Sequence, residues 1–503
     1  MILKDLLQDM DYKLLRGSLD QEIKDVVFDS RKAAPGTIFV AINGFRTDSH
    51  DFLPQTVLQG VSAVSVEKPW EALPPACREQ LEARDVTVIQ VENGRAALAL
   101  LSAAFFGHPT RQLKVIGVTG TKGKTTTTAM LTAMLEQAGH KTGQIGTNGI
   151  RTGSRWIESH NTTPEPYDTQ RYAREMVENG CEYLVMEVSS TGIKYHRADG
   201  IDFDLGIFTN LSPDHIGSLE HPDFADYLEN KAKLFRRCPR GLFNRDDPHV
   251  GEFLARANCE IHSFGLGPAK EPLGPDYAAL AWEPQRRGPV LGTRLQLGGA
   301  EDFECFIGMP GEFNVYNALG ALGAARMLGI PREAICAALE NISVEARVEV
   351  LYNEDFTVVL DYAHNGVSAT ALLTMLRSYQ PRQLTVIFGA EGGRAQVRRQ
   401  EMGEVCGQLA DFCILSSQNP DYEPIENIFR DIHQALDPSG TPSVDIADRR
   451  EAIYYALSHA EKGDIIAVIG KGQENYELVA GVRHPHSDRE EILRALKQLG
   501  KVE

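Results

Sequence analysis

Short apolar runs alternate with helical patterns through the middle of the chain. The runs "LKVIGVTG", "CEYLVMEVSS" and "FDLGIFTNLS" are rich in β-forming residues, and the last two end in small polar residues. Helical patterns lie between and after them. Because strands that alternate with helices build parallel sheets with right-handed crossovers, this pattern predicts an α/β fold.

A second set of apolar runs begins near Val344. Its members end in Asp, His, Gly, Asn or Glu, and they read "FTVVLDYAH", "QLTVIFGAEGG", "DFCILSSQNP" and "DIIAVIGKGQE". In open α/β sheets, ligands bind beyond the carboxyl ends of the strands. Each half of the chain therefore offers a polar rim at its strand ends, and two rims that face each other would enclose a site.

The first segment, up to about Thr110, mixes short strands with turn signals. Its strand patterns are "TIFVAI", "VSAVSVE" and "VTVIQV", and the helical pattern "GRAALALLSAAFF" closes it. The polar stretch "GHPTRQ" that follows contains a proline and predicts a linker. We predict three domains, which span residues 1–110, 111–343 and 344–503.

Composition narrows the possible functions. The chain has 503 residues, which is too long for one hydrophobic core, and its net charge of −18 argues against a general nucleic-acid binder. Its eight cysteines form no C-x-x-C pair, so we expect no zinc site and thiols suited to a reducing cytoplasm. We also expect no signal peptide and no membrane span, because the N-terminus is acidic and no long apolar window occurs.

The stretch "VIGVTGTKGKTTTTAM" carries the first chemical signal. Gly120 and Gly123 would let the backbone approach phosphate oxygens, Lys124 would balance their charge, and the Thr125 hydroxyl suits Mg²⁺. The fit to the phosphate-loop pattern is imperfect, because Val118 stands at the first glycine position. The loop predicts a nucleoside triphosphate, but it leaves kinase, motor, switch and ligase open.

An ordered set of motifs extends from this loop to the end of the chain. They are "GVTGTKGKTTT", "NTTP", "MEVSS", "TNLSPDHI", "YLENKAKLF", "GEFNVYNALGA", "EARVEV", "DYAHNG" and "GKGQENY". In this order they resemble the Mur ligase family, and most closely its MurE type, over essentially the whole chain. The resemblance implies an N-terminal UDP-binding domain, a central ATPase domain and a C-terminal Rossmann-like domain.

The resemblance also implies a reaction. MurE-type enzymes use ATP and Mg²⁺ to add the third amino acid to UDP-N-acetylmuramoyl-L-alanyl-D-glutamate. The substrate carboxylate attacks the γ-phosphate, and the incoming amine then displaces phosphate from the resulting acyl phosphate. An anionic carboxylate must approach an anionic triphosphate, so lysines, helix N-termini and metal ions are needed to stabilise the charge.

The family pattern assigns residues to the nucleotide and the metal. Those expected at ATP are Gly120, Thr121, Lys122, Gly123, Lys124, Thr125, Thr126, Asn314, Asn317, Arg347, Asp361 and His364. Those expected at Mg²⁺ are Thr125, Glu187, His215 and Lys231, the last as a carbamate (N6-carboxylysine). Lys124, Lys231 and His215 would serve catalysis. Without the family pattern, a solvated surface residue is the simpler interpretation of Lys231.

The two remaining substrates are assigned in the same way. The UDP-substrate would contact Ser30, Arg31, Asn161, Thr162, Thr163, Ser189 and Arg197, although Tyr195 replaces a frequent family glutamine. The incoming amino acid would contact Arg394, Gln418, Asn419, Pro420, Asp421, Gly470 and Glu474. Domain closure would complete the site, because Arg347, Asp361 and His364 come from the last domain and its preceding hinge.

The amino-acid selector departs from the family pattern. Asp421 stands where the "DNPR"-like motif has an arginine that binds the distal carboxylate of diaminopimelate. An aspartate there would attract a distal ammonium and favour lysine or ornithine. It could equally cap the helix predicted over "IENIFRDI". Both interpretations stay open, and another arginine could still recognise diaminopimelate.

The leading hypothesis is a monomeric, cytoplasmic MurE-type ligase that uses a UDP-N-acetylmuramoyl-dipeptide and a free amino acid, with diamino acids favoured. One alternative is another ligase of the same family with a different acceptor or amino acid, such as a folylpolyglutamate synthase or MurF. A second is a non-catalytic nucleotide-binding relative, and a third is a phosphate-loop kinase. We expect neither a nucleic-acid partner nor a membrane span.

Overall fold

The computed structural model describes residues 1–44, 47–159, 161–214, 216–217, 220–268, 276–288, 290–299, 302–393 and 396–502. The chain divides into two compact units. Unit 1 comprises Met1–Phe264 and Gly320–Ile330, and unit 2 comprises Gly265–Leu319 and Pro331–Glu503. The three predicted domains are described within these units, and their boundaries stay predictions.

Unit 1 begins with a five-stranded sheet of order β1-β5-β4-β3-β2, in which only β1 is antiparallel to its neighbour. Its strands are β1 Lys13–Arg16, β2 Asp25–Val27, β3 Thr37–Val40, β4 Ala63–Val66 and β5 Thr87–Gln90. Its helices are α1 Leu3–Leu6, α2 Leu53–Leu58, α3 Pro75–Ala83 and α4 Gly94–Phe105. Asn93 starts α4, because its side chain accepts hydrogen bonds from the N–H groups of Arg95 and Ala96.

A larger sheet follows in unit 1, with the order β13-β12-β11-β6-β10-β7-β8-β9. Its strands are β6 Lys114–Thr119, β7 Thr142–Gly146, β8 Gly149–Arg151, β9 Trp156–Ile157, β10 Tyr183–Glu187, β11 Leu205–Phe208, β12 Arg240–Asn244 and β13 Glu260–Leu266. Its helices are α5 Lys124–Gln137, α6 Pro166–Glu178, α7 Ser190–Lys194, α8 Phe224–Ala232 and α9 Val250–Leu254. β6, β7 and β10 to β13 pair in parallel, so their carboxyl ends share one edge.

Unit 2 contains an antiparallel three-stranded meander and a second parallel sheet. The meander consists of β14 Tyr277–Arg287, β15 Val290–Gly299 and β16 Glu304–Ile307. Along the chain it is followed by α10 Glu312–Met327, whose residues from Gly320 onward belong to unit 1, and by α11 Arg332–Glu340. The second sheet has the order β17-β18-β22-β19-β20-β21, and only β17 is antiparallel to its neighbour.

The strands of this second sheet are β17 Glu349–Asn353, β18 Thr357–Asp361, β19 Leu384–Phe388, β20 Phe412–Leu415, β21 Ser443–Asp445 and β22 Ile465–Ile469. Its helices are α12 Gly366–Ser378, α13 Gln396–Leu409, α14 Ile425–Leu436, α15 Arg449–Ser458 and α16 Asp488–Gln498. A hairpin of β23 Tyr476–Val479 and β24 Val482–Pro485 precedes α16. The sheet is covered on both faces, because two separate core clusters pack against it.

The α/β prediction is confirmed, and the four apolar runs after Val344 are β18, β19, β20 and β22. The stretch predicted as a linker is instead packed. Residues Pro109–Gln112 form a 3₁₀ turn, Thr110 is buried, and Arg111 forms ion pairs with Asp9 and Asp202. All eight cysteines are free thiols. Within the part of the chain that the structure describes, no helix has the length and apolar character needed to cross a membrane.

Candidate active site

The predicted phosphate loop joins β6 to α5 in unit 1. Gly120 has φ +151° and Gly123 has φ +84°, and a Cβ at Gly120 would overlap the hydroxyl of Thr209. Both positions therefore require glycine. The loop is held from the end of β11, where the Asn210 carbonyl accepts from the Thr121 N–H at 2.8 Å. The loop leads into the N-terminus of α5, a geometry that suits phosphate.

The side chains of the loop pack against its own backbone and the first turn of α5. Lys124 Nζ donates to the carbonyl oxygens of Gly120 and Thr121 at 2.8 and 3.0 Å, so the ammonium group lies against the loop itself. Thr125 and Thr126 are buried in the first turn of α5. The half-exposed Lys122 lies 3.5 Å from a carboxylate oxygen of Asp214.

Lys231 lies on α8 and is only 2% exposed. Its Nζ donates to the Gly120 carbonyl at 2.7 Å and lies 4.6 Å from the centre of the Tyr227 ring. Burial, and next the positive charge of Lys124, lower the pKa of Lys231 well below its usual value. The interpretation as a solvated lysine is therefore wrong, and a lowered pKa favours the neutral amine that carbamate formation with CO₂ requires.

Lys233, two positions after Lys231, makes different contacts. Its Nζ donates to the side-chain oxygen of Asn230 at 2.9 Å, on the 3₁₀ turn that follows α8. Among the described contacts, only Lys231 links this region to the carbonyl oxygen of the phosphate loop. The geometry thus favours Lys231 for the predicted role.

Glu187 ends β10 and is 1% exposed. Its carboxylate accepts from the N–H of Thr147 at 2.8 Å and from the Thr147 hydroxyl at 3.1 Å. That hydroxyl lies 3.0 Å from the Thr162 hydroxyl. A Cβ at Gly146 would overlap the Glu187 carboxylate, so the end of β7 must carry a glycine to admit it. The Glu187 carboxylate and the Thr125 hydroxyl are oxygen donors of the type that Mg²⁺ prefers.

His215 and Arg394 lie outside the described residues. Among the residues described, no three His, Cys, Asp or Glu side chains form a metal-binding group. The predicted ligand set would include only one such side chain from the described residues, Glu187, beside the Thr125 hydroxyl and the Lys231 carbamate.

Four predicted UDP-substrate residues meet beside Glu187. The Thr163 hydroxyl donates to the Glu187 carbonyl at 3.0 Å and lies 3.2 Å from the Ser189 hydroxyl. Ser189 also starts α7, since its side chain accepts from the Gly192 N–H. Arg197 donates to the Thr163 carbonyl at 3.3 Å and pairs with Glu165 at 2.8 Å. The structure thus brings Thr162, Thr163, Ser189 and Arg197 to one place.

The remaining UDP-substrate residues are more exposed. Ser30 and Arg31 lie in a 3₁₀ turn after β2, where Arg31 pairs with Asp29 at 2.7 Å and has an 85% exposed side chain. The hydrogen bond from Arg31 lowers the pKa of Asp29. Asn161 is exposed, and its carbonyl accepts from the Ser159 hydroxyl. No described contact joins these residues to the group around Glu187.

Tyr195, which replaces the frequent family glutamine, contacts the first sheet's helix layer. The guanidinium of Arg95, on α4, lies 5.5 Å from the centre of the Tyr195 ring. The neighbouring His196 lies 3.2 Å from the side-chain amide of Asn93. The substitution therefore forms a contact between the N-terminal segment and the segment that holds Arg197.

The residues predicted to approach ATP from unit 2 form two local groups. Asn314 donates to the Pro310 carbonyl and accepts from Asn317. Asp361 accepts from the N–H groups of Val348 and Ala363 at 2.8 and 2.7 Å, and burial raises its pKa.

Beside Asp361, the Arg347 guanidinium lies 5.2 Å from the centre of the Tyr362 ring. Nδ1 of His364 lies 2.8 Å from the Tyr362 carbonyl. Tyr362 thus contacts both predicted residues, Arg347 through its ring and His364 through its carbonyl. Sequence reasoning did not identify it.

The predicted amino-acid residues converge in unit 2 around Asn419. Its side chain donates to Glu474 at 2.8 Å and accepts from Lys471 Nζ at 2.9 Å. Burial raises the pKa of Glu474. Gly470 has φ +108°, and a Cβ there would overlap the side chain of Gln418. Pro420 is buried, and its carbonyl lies so close to Gly392 that only glycine fits there.

Asp421 does not cap α14. That helix begins at Ile425 with Pro424 before it and no side-chain cap. Oδ1 of Asp421 instead accepts from the N–H of Gly481 at 2.7 Å, in the turn of the β23–β24 hairpin. The helix-cap interpretation is therefore wrong, because the chain between Asp421 and α14 turns and leaves the carboxylate beside the hairpin.

Besides Tyr362, sequence reasoning missed Thr147, Lys471 and Glu477 at these sites. Lys471 is fully buried, and its Nζ lies 3.0 Å from Glu477 and donates to the Tyr476 carbonyl. Glu477 also accepts from the N–H of Asn419 at 2.9 Å. Lys471 lies inside the quoted "GKGQENY" motif, so its position in that motif was the available signal.

Three family models match the chain in order. "Mur ligase family, catalytic domain" matches residues 22–106, "Mur ligase middle domain" matches 118–325, and "Mur ligase, glutamate ligase domain" matches 346–472. Together they cover most of the chain, in the order that the motifs predict.

Curated relatives match over their full length. A protein from Caldanaerobacter subterraneus subsp. tengcongensis is 37% identical, with 100% of both chains covered, and one from Clostridium perfringens is 33% identical, with 99% of this chain and 100% of the relative covered. Both are named UDP-N-acetylmuramoyl-L-alanyl-D-glutamate--2,6-diaminopimelate ligase.

Solved structures give the same picture. A ligase structure of that same name aligns with a TM-score of 0.69 at 26% identity and covers 99% of both chains. The MurF of Acinetobacter baumannii aligns with a TM-score of 0.63 at 22% identity, covering 93% of this chain and 95% of its own, and so supports the fold alone.

Proposed function

This chain belongs to the Mur ligase family, and we propose that it adds a diamino acid to UDP-N-acetylmuramoyl-L-alanyl-D-glutamate with the hydrolysis of ATP to ADP. It has the three-domain α/β architecture of that family. The curated relatives, which are named for 2,6-diaminopimelate and match over their full length, support the choice of substrates. The product would be a precursor of peptidoglycan.

The observation that carries this proposal is the contact between Lys231 and the phosphate loop. A simple phosphate-loop kinase or switch has no use for a second, buried lysine whose Nζ bonds the Gly120 carbonyl. A ligase that must bring a substrate carboxylate to a triphosphate does, because the negative charge concentrated there needs Mg²⁺, which the carbamate of such a lysine would help to hold.

The proposed reaction has two steps. The D-glutamate carboxylate attacks the γ-phosphorus of ATP, so that the bond to the β-phosphate oxygen breaks and an acyl phosphate and ADP form. The amine of the incoming amino acid then attacks the acyl carbon, and inorganic phosphate leaves as the amide bond forms. In the first step Lys124 and the N-terminus of α5 stabilise the phosphate charge.

Mg²⁺, when bound, neutralises phosphate charge; Thr125, Glu187, His215 and carbamylated Lys231 would hold it. Four residues would orient the UDP-substrate, since they surround the carboxyl end of β10: Thr162, Thr163, Ser189 and Arg197. In unit 2, Asn419 and Glu474 would bind the incoming amino acid, because Glu474 can accept from an ammonium group and Asn419 fixes its carboxylate.

We place this activity in the cytoplasm, where the nucleotide substrates are made. The free thiols support this, since oxidising compartments favour disulfides. We expect a monomer.

The test is ADP release together with product mass for the full chain, with UDP-N-acetylmuramoyl-L-alanyl-D-glutamate, ATP and Mg²⁺. The amino acids supplied would be meso-diaminopimelate, L-lysine, L-ornithine and neutral residues, and Lys124→Ala is the inactive control. Amide product with a diamino acid supports the proposal. Product only with another acceptor or a neutral amino acid would favour a different ligase of the family, and ATP binding without any turnover would favour a non-catalytic relative.

A further inference from the structure

Asp421 occupies the selector position of the family motif, but the structure uses it to hold the β23–β24 hairpin. Its N–H donates to the Leu478 carbonyl at 2.9 Å, and its carbonyl accepts from the Ala480 N–H at 2.8 Å. Its Oδ1 accepts from the Gly481 N–H at 2.7 Å. The residue therefore fixes the hairpin on the strand-end loop that also carries Asn419.

The hairpin carries an exposed arginine, Arg483, on the same Tyr476 ring that Lys471 Nζ approaches to 5.7 Å. Arg483 pairs across the hairpin with Leu478, whose N–H donates to Oδ1 of Asn419 at 3.0 Å. The Arg483 guanidinium lies 4.4 Å from the centre of the Tyr476 ring, and the Tyr476 carbonyl accepts from Lys471 Nζ. Arg483 is thus linked to Asn419 through Leu478 and to Lys471 through Tyr476.

The cations near Asn419 differ in what they can offer a ligand. Lys471 is fully buried and surrounded by the acceptors of Asn419, Glu474, Glu477 and Tyr476, so its ammonium group is committed to the protein. Arg483 is exposed, and no ion pair to a carboxylate is found for it in the described ranges. Held over an aromatic ring, its guanidinium keeps a fixed direction while its N–H donors stay open to solvent.

We propose that Arg483 binds the second carboxylate of the incoming diamino acid and so takes over the recognition that the missing arginine at position 421 would have supplied. This rests on the proposed function. It assigns to Asp421 a positioning role, since the aspartate holds the hairpin that carries Arg483. It also favours an amino acid such as 2,6-diaminopimelate over lysine, because the two differ only in that second carboxylate.

The test compares meso-diaminopimelate with L-lysine in the full chain, for the wild type, Arg483→Gln and Arg483→Lys. Loss of a charge-assisted bidentate contact should lower kcat/KM for diaminopimelate by about 10- to 100-fold, mainly through KM. The value for lysine should change less than about twofold, and Arg483→Lys should recover part of the loss. Arg494→Gln, at another exposed arginine, which pairs with Glu491 on α16, is the control and should behave as wild type.

The possible outcomes separate the inference from the proposed function. Unchanged use of diaminopimelate by Arg483→Gln would overturn the inference, and so would an equal loss with both amino acids, which would indicate damage to the site. A wild type that uses lysine but not diaminopimelate would overturn it while the ligase assignment stands. A wild type that is inactive with every diamino acid would overturn the proposed function and the inference together.

Discussion

Nζ of Lys231 donates a hydrogen bond to the carbonyl oxygen of Gly120 at 2.7 Å. The two residues are 111 positions apart, and the bond joins α8 to the phosphate loop. The lysine is fully enclosed, and its pKa is lowered by burial and then by Lys124. The lowered pKa favours the neutral amine, which is the form that reacts with CO₂ and can become an anion there.

Substitution of Lys231 by alanine should reduce turnover by about 100-fold or more, because the anionic group proposed to help hold Mg²⁺ is lost. Small carboxylates such as formate or acetate should restore part of the activity, since they can occupy the space and supply the charge. Steady-state ADP release measures both effects. Lys233→Ala is the control and should stay active, and a Lys231→Ala variant with wild-type turnover would contradict the role.

Substitution of Gly120 by alanine should weaken nucleotide binding strongly. The new Cβ would overlap the Thr209 hydroxyl, and φ is +151° at this position. Gly139→Ala is a matched control, because Gly139 also has positive φ (+91°) but nothing lies near its Cβ position. Calorimetric titration with ADP should show an affinity at least about tenfold weaker for Gly120→Ala. The affinity of the control should be unchanged. Equal losses in both variants would show that backbone strain alone is responsible.

Much of this site could be predicted because its residues stand at strand ends within recognisable motifs. Glu187 follows an apolar run, and Lys231 is separated by four positions from Tyr227, so each carried a local signal. Thr147 and Glu477 carried none, since they reach their partners through hydrogen bonds across 40 and 58 positions. A single threonine or glutamate has no spacing that reveals such a partner.

The role of Asp421 could not be decided from its side-chain chemistry and local position. An aspartate just before a predicted helix is a common cap, and one at a selector position can bind an ammonium group. The choice depended on the β23–β24 hairpin, which lies 55 or more positions further along and returns to the loop at Gly481. Local pattern could not supply that contact.

Glu423 should make the stability of unit 2 depend on pH. Its carboxylate pairs with Arg399 at 2.6 Å, and that hydrogen bond lowers the pKa of Glu423 to about 2. The unfolded value is about 4.3, so the pair's contribution is complete above about pH 4.3 and is lost as the pH falls toward 2. The carboxylate is partly solvated, so we expect about 1–2 kcal/mol at neutral pH.

Urea unfolding of the wild type and Glu423→Gln across this pH range measures that contribution. The difference in free energy of unfolding between the two should be largest near neutral pH and should shrink below about pH 4. Glu404→Gln, at an exposed position in the middle of α13, controls for the loss of a surface charge. A difference that stays constant with pH would show that the side chain acts by packing and not by charge.

Substitution of Lys471 by methionine should damage the amino-acid site and leave the nucleotide site intact. The change removes the cation that lies 3.4 Å from Glu474 and 3.0 Å from Glu477, and it leaves two enclosed carboxylates without their partner. The loss of one member of such a buried network costs about 3–5 kcal/mol of unfolding free energy. KM for the amino acid should rise, because Asn419 loses a hydrogen bond that orients it, while ADP affinity should be unchanged.

Lys497→Met, at an exposed lysine in the last turn of α16, is the control. Adding Glu477→Gln to Lys471→Met should recover part of the lost stability, since it removes one of the two carboxylate charges left without a cation. A double variant no more stable than Lys471→Met would mean that Lys471 stabilises the fold through its hydrogen bond to the Tyr476 carbonyl instead.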